Sequence, residues 1–229
     1  FLGNLAHELK TPVFSIQGYI LTLLEGGLED ETVNRDFLER ALHGVERISN
    51  LLEDLDEISK YEFDRHSLKR KKFDIVALAR STFKELEQKG LDKKIKFGFN
   101  KNYDPIFVNG DEGKIHQVLV NLINNSISYG SENGNTTVRF HELDLDKSDG
   151  KKGKILVEVA DDGLGIEEKH LPRLFERFYR VDKSRARNAG GSGLGLAIVK
   201  HIIEAHGETI KVRSTENVGS TFSFTLERA

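Results

Sequence analysis

Two long apolar stripes of helical period open the chain, and they restrict its fold more than any other feature. Leu2, Leu5, Leu9, Val13, Ile16, Ile20 and Leu23 follow steps of three and four residues up to Gly26-Gly27. After Asp30 a second stripe runs through Val33, Phe37, Ala41, Val45, Ile48, Leu52 and Leu55 before Tyr61. The pattern predicts two helices joined as a hairpin. A hairpin of about 60 residues cannot hide both stripes against itself, so a symmetric pair of hairpins forming a four-helix bundle is the expected solution.

Residues 64–72, Asp-Arg-His-Ser-Leu-Lys-Arg-Lys-Lys, are polar and mostly basic, and the periodicity changes across them. The expected division is therefore a helical domain at 1–64, a linker at 65–72 and a second domain at 73–229. In the second domain the pattern predicts helices near 75–89, 111–129 and 196–206. Strands are predicted at 95–99, 136–143 and 154–160, with a closing hairpin at 209–214 and 220–226. Asp146, Asp149 and Lys151-Lys152 mark an exposed turn. The fold class is α+β: a long helical hairpin followed by an α/β sandwich, with helices expected over one face of the sheet.

Composition narrows the function classes. Lys and Arg total 34 against 37 for Asp and Glu, and a net charge of −3 gives no electrostatic reason to propose nucleic acid or an anionic membrane as partner. The chain has no cysteine, which excludes disulfides and thiolate metal sites. No run approaches the roughly 18 apolar residues of a membrane-spanning helix. A chain that begins at Phe1, inside a predicted helix, is expected to be a fragment of something longer.

His7 lies off the apolar stripe and is expected to face solvent. A carboxylate beside it, Glu8, can hold one ring N–H and make the other nitrogen a better nucleophile, acting as base. Thr11 stands one helical turn on, where its hydroxyl can orient a water, and Pro12 is expected to kink the helix. On the 111–129 helix, Asn121, Asn125 and Tyr129 recur every four residues beside a buried face. Asparagine is mildly unfavourable in a helix interior, and its amide oxygen suits Mg²⁺ arriving with a nucleotide.

The strand ending at Ala160 runs into Asp161-Asp162-Gly163-Leu164-Gly165, where one carboxylate can accept the amino group of adenine and glycines permit close backbone approach. Farther on, Gly190-Gly191-Ser192-Gly193-Leu194-Gly195 precedes an apolar helix whose first N–H groups can cradle phosphates. The loop lacks the Gly-Lys pair of a P-loop, the Rossmann spacing is absent, and no protein-kinase catalytic loop appears.

Phe1 to Pro12 resembles the phosphoacceptor motif of sensor histidine kinases. In order, the asparagine helix, the Asp161 turn, Leu174-Phe175-Glu176-Arg177-Phe178 and the glycine loop resemble the four ATP-site boxes of their catalytic domain, which belongs to the gyrase, chaperone and histidine-kinase ATP fold. The resemblance implies autophosphorylation of His7 from ATP and Mg²⁺, assisted by Glu8, and transfer to an aspartate on the receiver domain of a response regulator. Phosphatase action on that regulator through Glu8 and Thr11 is compatible with it.

The resemblance further implies that Asn125 with Asn121 engages Mg²⁺ and phosphates, that Asp161 reads adenine and that Tyr129 packs beside the base. The glycine positions Gly163, Gly165, Gly191, Gly193 and Gly195, with Leu194, form the rest of the nucleotide contacts. The basic stretch from Arg180 through Lys183, Arg185 and Arg187 matches the mobile ATP lid, with Arg180 as the phosphate contact. A homodimer is implied, set on the cytoplasmic side of a membrane-anchored protein, with the regulator docking along Phe14, Ser15, Gly18 and Thr22. Ser128, where the family usually has lysine, and Glu208, where it often has a second glycine, depart from the pattern. Rival readings are an ATPase of the gyrase and chaperone type, against which the His7 motif argues, and a non-catalytic dimeric scaffold. The residue pattern is compatible with transfer within a subunit and with transfer between subunits.

Overall fold

A computed structural model describes residues 2–63, 68–143, 153–181 and 192–229. The expected turn around Asp146 to Lys152 lies outside the described residues. Helix α1 (Leu2–Thr22) is followed by a π turn at Leu23–Gly27, in which Gly26 takes φ 117° and breaks the helical path, and by α2 (Asn34–Phe63). Asp30 fastens the turn by accepting both the N–H and the hydroxyl of Thr32. Pro12, where a kink is expected, does not end the helix: α1 continues through it and gives way eleven residues later, where two glycines remove the side chains that would hold the path.

Within one chain the two stripes cover each other only in part. Leu23 and Leu51 are buried, whereas Val13, Ile20, Leu24, Leu38, Leu42, Val45 and Leu52 remain about half exposed or more.

The second half is a mixed seven-stranded sheet. Strands β1 (Lys71–Asp74), β2 (Lys96–Phe99), β3 (Phe107–Gly110), β4 (Asn135–Leu143), β5 (Lys154–Asp161), β6 (Ile210–Thr215) and β7 (Gly219–Arg228) run in the order β1-β3-β7-β5-β4-β2. β6 pairs with the first part of β7 on the edge that β3 uses farther along, and β2 lies parallel to β4 while every other pairing is antiparallel. Helices α3 (Ile75–Asp92), α4 (Glu112–Tyr129) and α5 (Gly195–Ala205) cover one face. Period-two alternation sends Val138, Phe140, Ile155, Val157, Phe222 and Phe224 into that core, against Leu119, Ile123, Ile198 and Ile202. Aspartates cap the helices that carry the site: Asp74 accepts the N–H of Val76, and Asp111 that of Lys114.

Strands β1 and β3 are not marked in the sequence. Each has four residues, β1 begins inside the basic stretch at Lys71-Lys72, and the two are defined by pairing with each other and with the end of β7. Among the described residues, no helix is long and apolar enough to cross a membrane.

Candidate active site

A cavity of about 1130 Å³ opens between α4, the end of β5, the turn before α5 and one face of α2. Asn121, Asn125, Tyr129, Asp161, Gly165, Arg180, Gly193 and Gly195, all singled out in the sequence, line it together. Gly163 does not reach the cavity; its N–H is spent on Asp161 Oδ1 at 2.9 Å. Leu194 turns its side chain fully into the core, and its N–H goes to Ser192 Oγ at 3.1 Å. Gly191, Lys183, Arg185 and Arg187 lie outside the described residues.

The strand ending separates the two adjacent carboxylates. Asp162 turns outward and binds Asn135, accepting its backbone N–H and its side-chain amide at 2.8 Å each. Asp161 faces the cavity. Burial raises its pKa, with the neighbouring Asp162 charge acting in the same direction and the N–H groups of Gly163 and Ser220 opposing.

Across the cavity, Asn121 Oδ1 stands only 3.1 Å from where a Cβ on Gly195 would lie, so the amide carbonyl is set against the first turn of α5. Gly193 has φ 74° and accepts the N–H of Phe178 at 2.9 Å, which stitches together the two ends of the stretch between them. A nucleotide with a divalent cation fits this donor set: amide oxygens on α4, the N–H groups of the first turn of α5, which no N-cap side chain engages among the described residues, and a cationic side chain in the same cavity. That cation is Arg180. Its side chain is 8% exposed, and its Nε and Nη2 have no hydrogen-bond partner among the described residues. Two buried, unsatisfied donors on a fixed positive charge fit an anionic group such as phosphate.

His7 is exposed on α1, as its place off the stripe predicts. Glu8 is three-quarters buried beside it, accepts from Arg47 Nη2 at 3.2 Å and lies 3.9 Å from Arg180 Nη1. Thr11 is exposed too, but its hydroxyl donates to the His7 carbonyl at 3.3 Å rather than standing free. Phe14, Ser15, Gly18 and Thr22 are all exposed along the same helix.

The α2 wall has no counterpart in the motifs. Arg47, Asn50, Leu51, Glu53 and Asp54 line the cavity, and Ser192 Oγ donates to Asp54 Oδ2 at 2.6 Å. Nothing in a one-dimensional pattern ties residue 54 to residue 192. Of the two departures, Ser128 lines the cavity, as do Lys89 and Lys93. Glu208 is absorbed by the sheet: it binds Lys154 Nζ at 2.6 Å and the Thr225 hydroxyl, while the turn itself is made on Gly207 at φ 80°.

Comparison with known proteins matches residues 110–229 to the family described as histidine kinase-, DNA gyrase B-, and HSP90-like ATPase, and residues 1–63 to the His Kinase A (phospho-acceptor) domain. The sensor histidine kinase WalK of Bacillus subtilis is 34% identical over 99% of this chain and 36% of its own length. Drug sensory protein A of a Synechocystis strain is 36% identical over 99% of this chain and 34% of its own. The chain thus spans about a third of the length of these relatives. Among solved structures, histidine kinase ThkA in complex with the response regulator protein TrrA superposes with a TM-score of 0.77 at 27% identity, covering 100% of this chain and 61% of that one.

Proposed function

The chain belongs to the sensor histidine kinase family of two-component systems, and from that premise we propose that it moves the γ-phosphoryl group of ATP to His7 and then to an aspartate on a response regulator. Residues 1–64 form the dimerising phosphoacceptor domain, 65–72 the link, and 73–229 the ATP-binding domain. One observation carries the reading. Arg180, buried in the cavity with two donors that have no partner among the described residues, stands 3.9 Å from Glu8, the residue next to the exposed His7.

In this mechanism Asp161 accepts the amino group of adenine and Tyr129 flanks the base, while the amides before and within the first turn of α5 hold the phosphates. Magnesium, held by Asn121 and Asn125 with the phosphate oxygens, would neutralise charge on the phosphates. An imidazole nitrogen of His7 attacks the γ-phosphorus. The N–P bond forms as the bridging P–O bond breaks, ADP leaves with that electron pair, and the imidazole proton passes to Glu8. Arg47 fixes the Glu8 carboxylate for this task, and Arg180 offsets charge on the transferred group.

The regulator, by analogy with the ThkA–TrrA complex, docks on the exposed line Phe14, Ser15, Gly18 and Thr22 beyond His7. In the full-length protein we place this region on the cytoplasmic side of a membrane-anchored sensor; the roughly two thirds of the Bacillus relative outside the match leaves room for such parts.

The test is incubation of the chain and its His7→Gln variant with γ-labelled ATP and Mg²⁺. The expected result is acid-labile, base-stable label on the parent and none on the variant. Equal label on both, or no label on the parent despite nucleotide binding, would reject the assignment.

A further inference from the structure

The ATP-binding domain is docked on the hairpin of its own chain. Ile58 of α2 is 1% exposed and belongs to the core cluster of the sheet domain. One helical turn back, Asp54 accepts the Ser192 hydroxyl, and Leu51 closes the cavity wall. Arg180, which also lines the cavity, stands 3.9 Å from Glu8 of the same chain. These ties leave the phosphate end of the cavity beside the chain's own phosphoacceptor segment.

The placement of apolar residues on α2 shows that a second copy need not disturb this docking. Leu51, Asp54 and Ile58 form one stripe. At about 100° per residue, the exposed Leu38, Leu42, Val45 and Leu52 stand on average nearly opposite it. A partner hairpin covering the exposed stripe therefore leaves the docked domain in place. A partner's ATP-binding domain, in contrast, would have to displace it. The chain also limits its own reach: Phe63 ends α2 and Leu68 begins the next described segment, and five residue steps extend at most about 18 Å.

From this we propose that phosphoryl transfer proceeds within one chain, from the nucleotide bound by residues 73–229 to the His7 of the same subunit. The proposal rests on the histidine kinase reading above and adds to it the identity of the acceptor. The covalent step is unchanged: the N–P bond forms on the subunit's own His7, and ADP leaves its own cavity.

Differently tagged subunits, His7→Gln and Asn125→Ala, are co-expressed, and the heterodimer is isolated by sequential affinity steps. Parent homodimer and a heterodimer of parent with the doubly substituted chain serve as references. Helicity of each variant, and retained nucleotide binding by the His7→Gln chain, report that the subunits are folded. With γ-labelled ATP, the reference heterodimer is expected to label at about half the parent level, and the His7→Gln/Asn125→Ala heterodimer at least twentyfold below the parent. Label near half the parent level on the Asn125→Ala subunit would overturn transfer within one chain while leaving the kinase assignment intact. An unlabelled parent homodimer would overturn that assignment and this inference with it.

Discussion

His206 shows how one side chain ties the site to the rest of the domain. It is nearly buried at the end of α5, its Nδ1 donates to the Ile202 carbonyl at 2.8 Å, and its Nε2 accepts the N–H of Asp111 at 3.0 Å. Asp111 in turn caps α4, the helix that carries Asn121 and Asn125. The ring must stay neutral to accept that N–H. Burial holds its pKa below the ordinary histidine value, with the nearby Arg70 charge acting the same way and Asp111 and Glu208 opposing.

With the folded pKa depressed, the unfolded chain binds more protons below about pH 6.5, so the stability that His206 supplies is present above that pH and lost as pH falls through the window below it. One proton gives a slope of at most about 1.4 kcal/mol per pH unit. Denaturation midpoints measured between pH 7.5 and 5 should fall for the parent, and His206→Phe should start lower at neutral pH and depend on pH less steeply. Parallel curves for the two would assign the pH dependence to other groups. At this scale much was legible: Asn121, Asn125, Asp161 and Arg180 follow from residue type and place in a motif. What separated Asp161 from Asp162 was the register of β5, which puts only one of them over the cavity, and Arg47 was invisible because its partner lies on another helix.

The helices of the second domain were read from period and length, and their observed limits differ from expectation by three residues or fewer. Strands β1 and β3 were not, because these four-residue segments owe their conformation to ladder partners far away in sequence. The contact between α1 and α2 likewise depends on a residue that an apolar pattern passes over. A Cβ on Gly44 would stand 2.6 Å from Ile16 Cγ1, so the two helices approach through the missing side chain. Helix propensity alone makes Gly44→Leu stabilising by nearly 1 kcal/mol, whereas overpacking costs about 1–3 kcal/mol. The packing effect should win. A net loss of about 1 kcal/mol is expected in chemical denaturation followed by far-ultraviolet circular dichroism, and a gain would show that α1 shifts freely along α2.

At the scale of the molecule, the exposed stripe on the hairpin is what remains unexplained by a single chain. Val13, Ile20, Leu24, Leu38, Leu42, Val45 and Leu52 are 46–74% exposed, and covering them adds roughly 1 kcal/mol or more for each side chain buried. The match of residues 1–63 to the phosphoacceptor domain and the period of the stripe both point to a second hairpin as the cover. Leu42→Glu combined with Val45→Glu places two carboxylates in that seam, where an unpaired charge costs several kcal/mol. Sedimentation should then show two chains per particle for the parent and one for the variant. Because both positions lie away from Leu51, Asp54 and Ile58, nucleotide binding should survive the substitution. Loss of binding together with loss of the dimer would mean that the docked domain and the bundle form one cooperative unit, and an unchanged particle mass would place the dimer contact on another face of the hairpin.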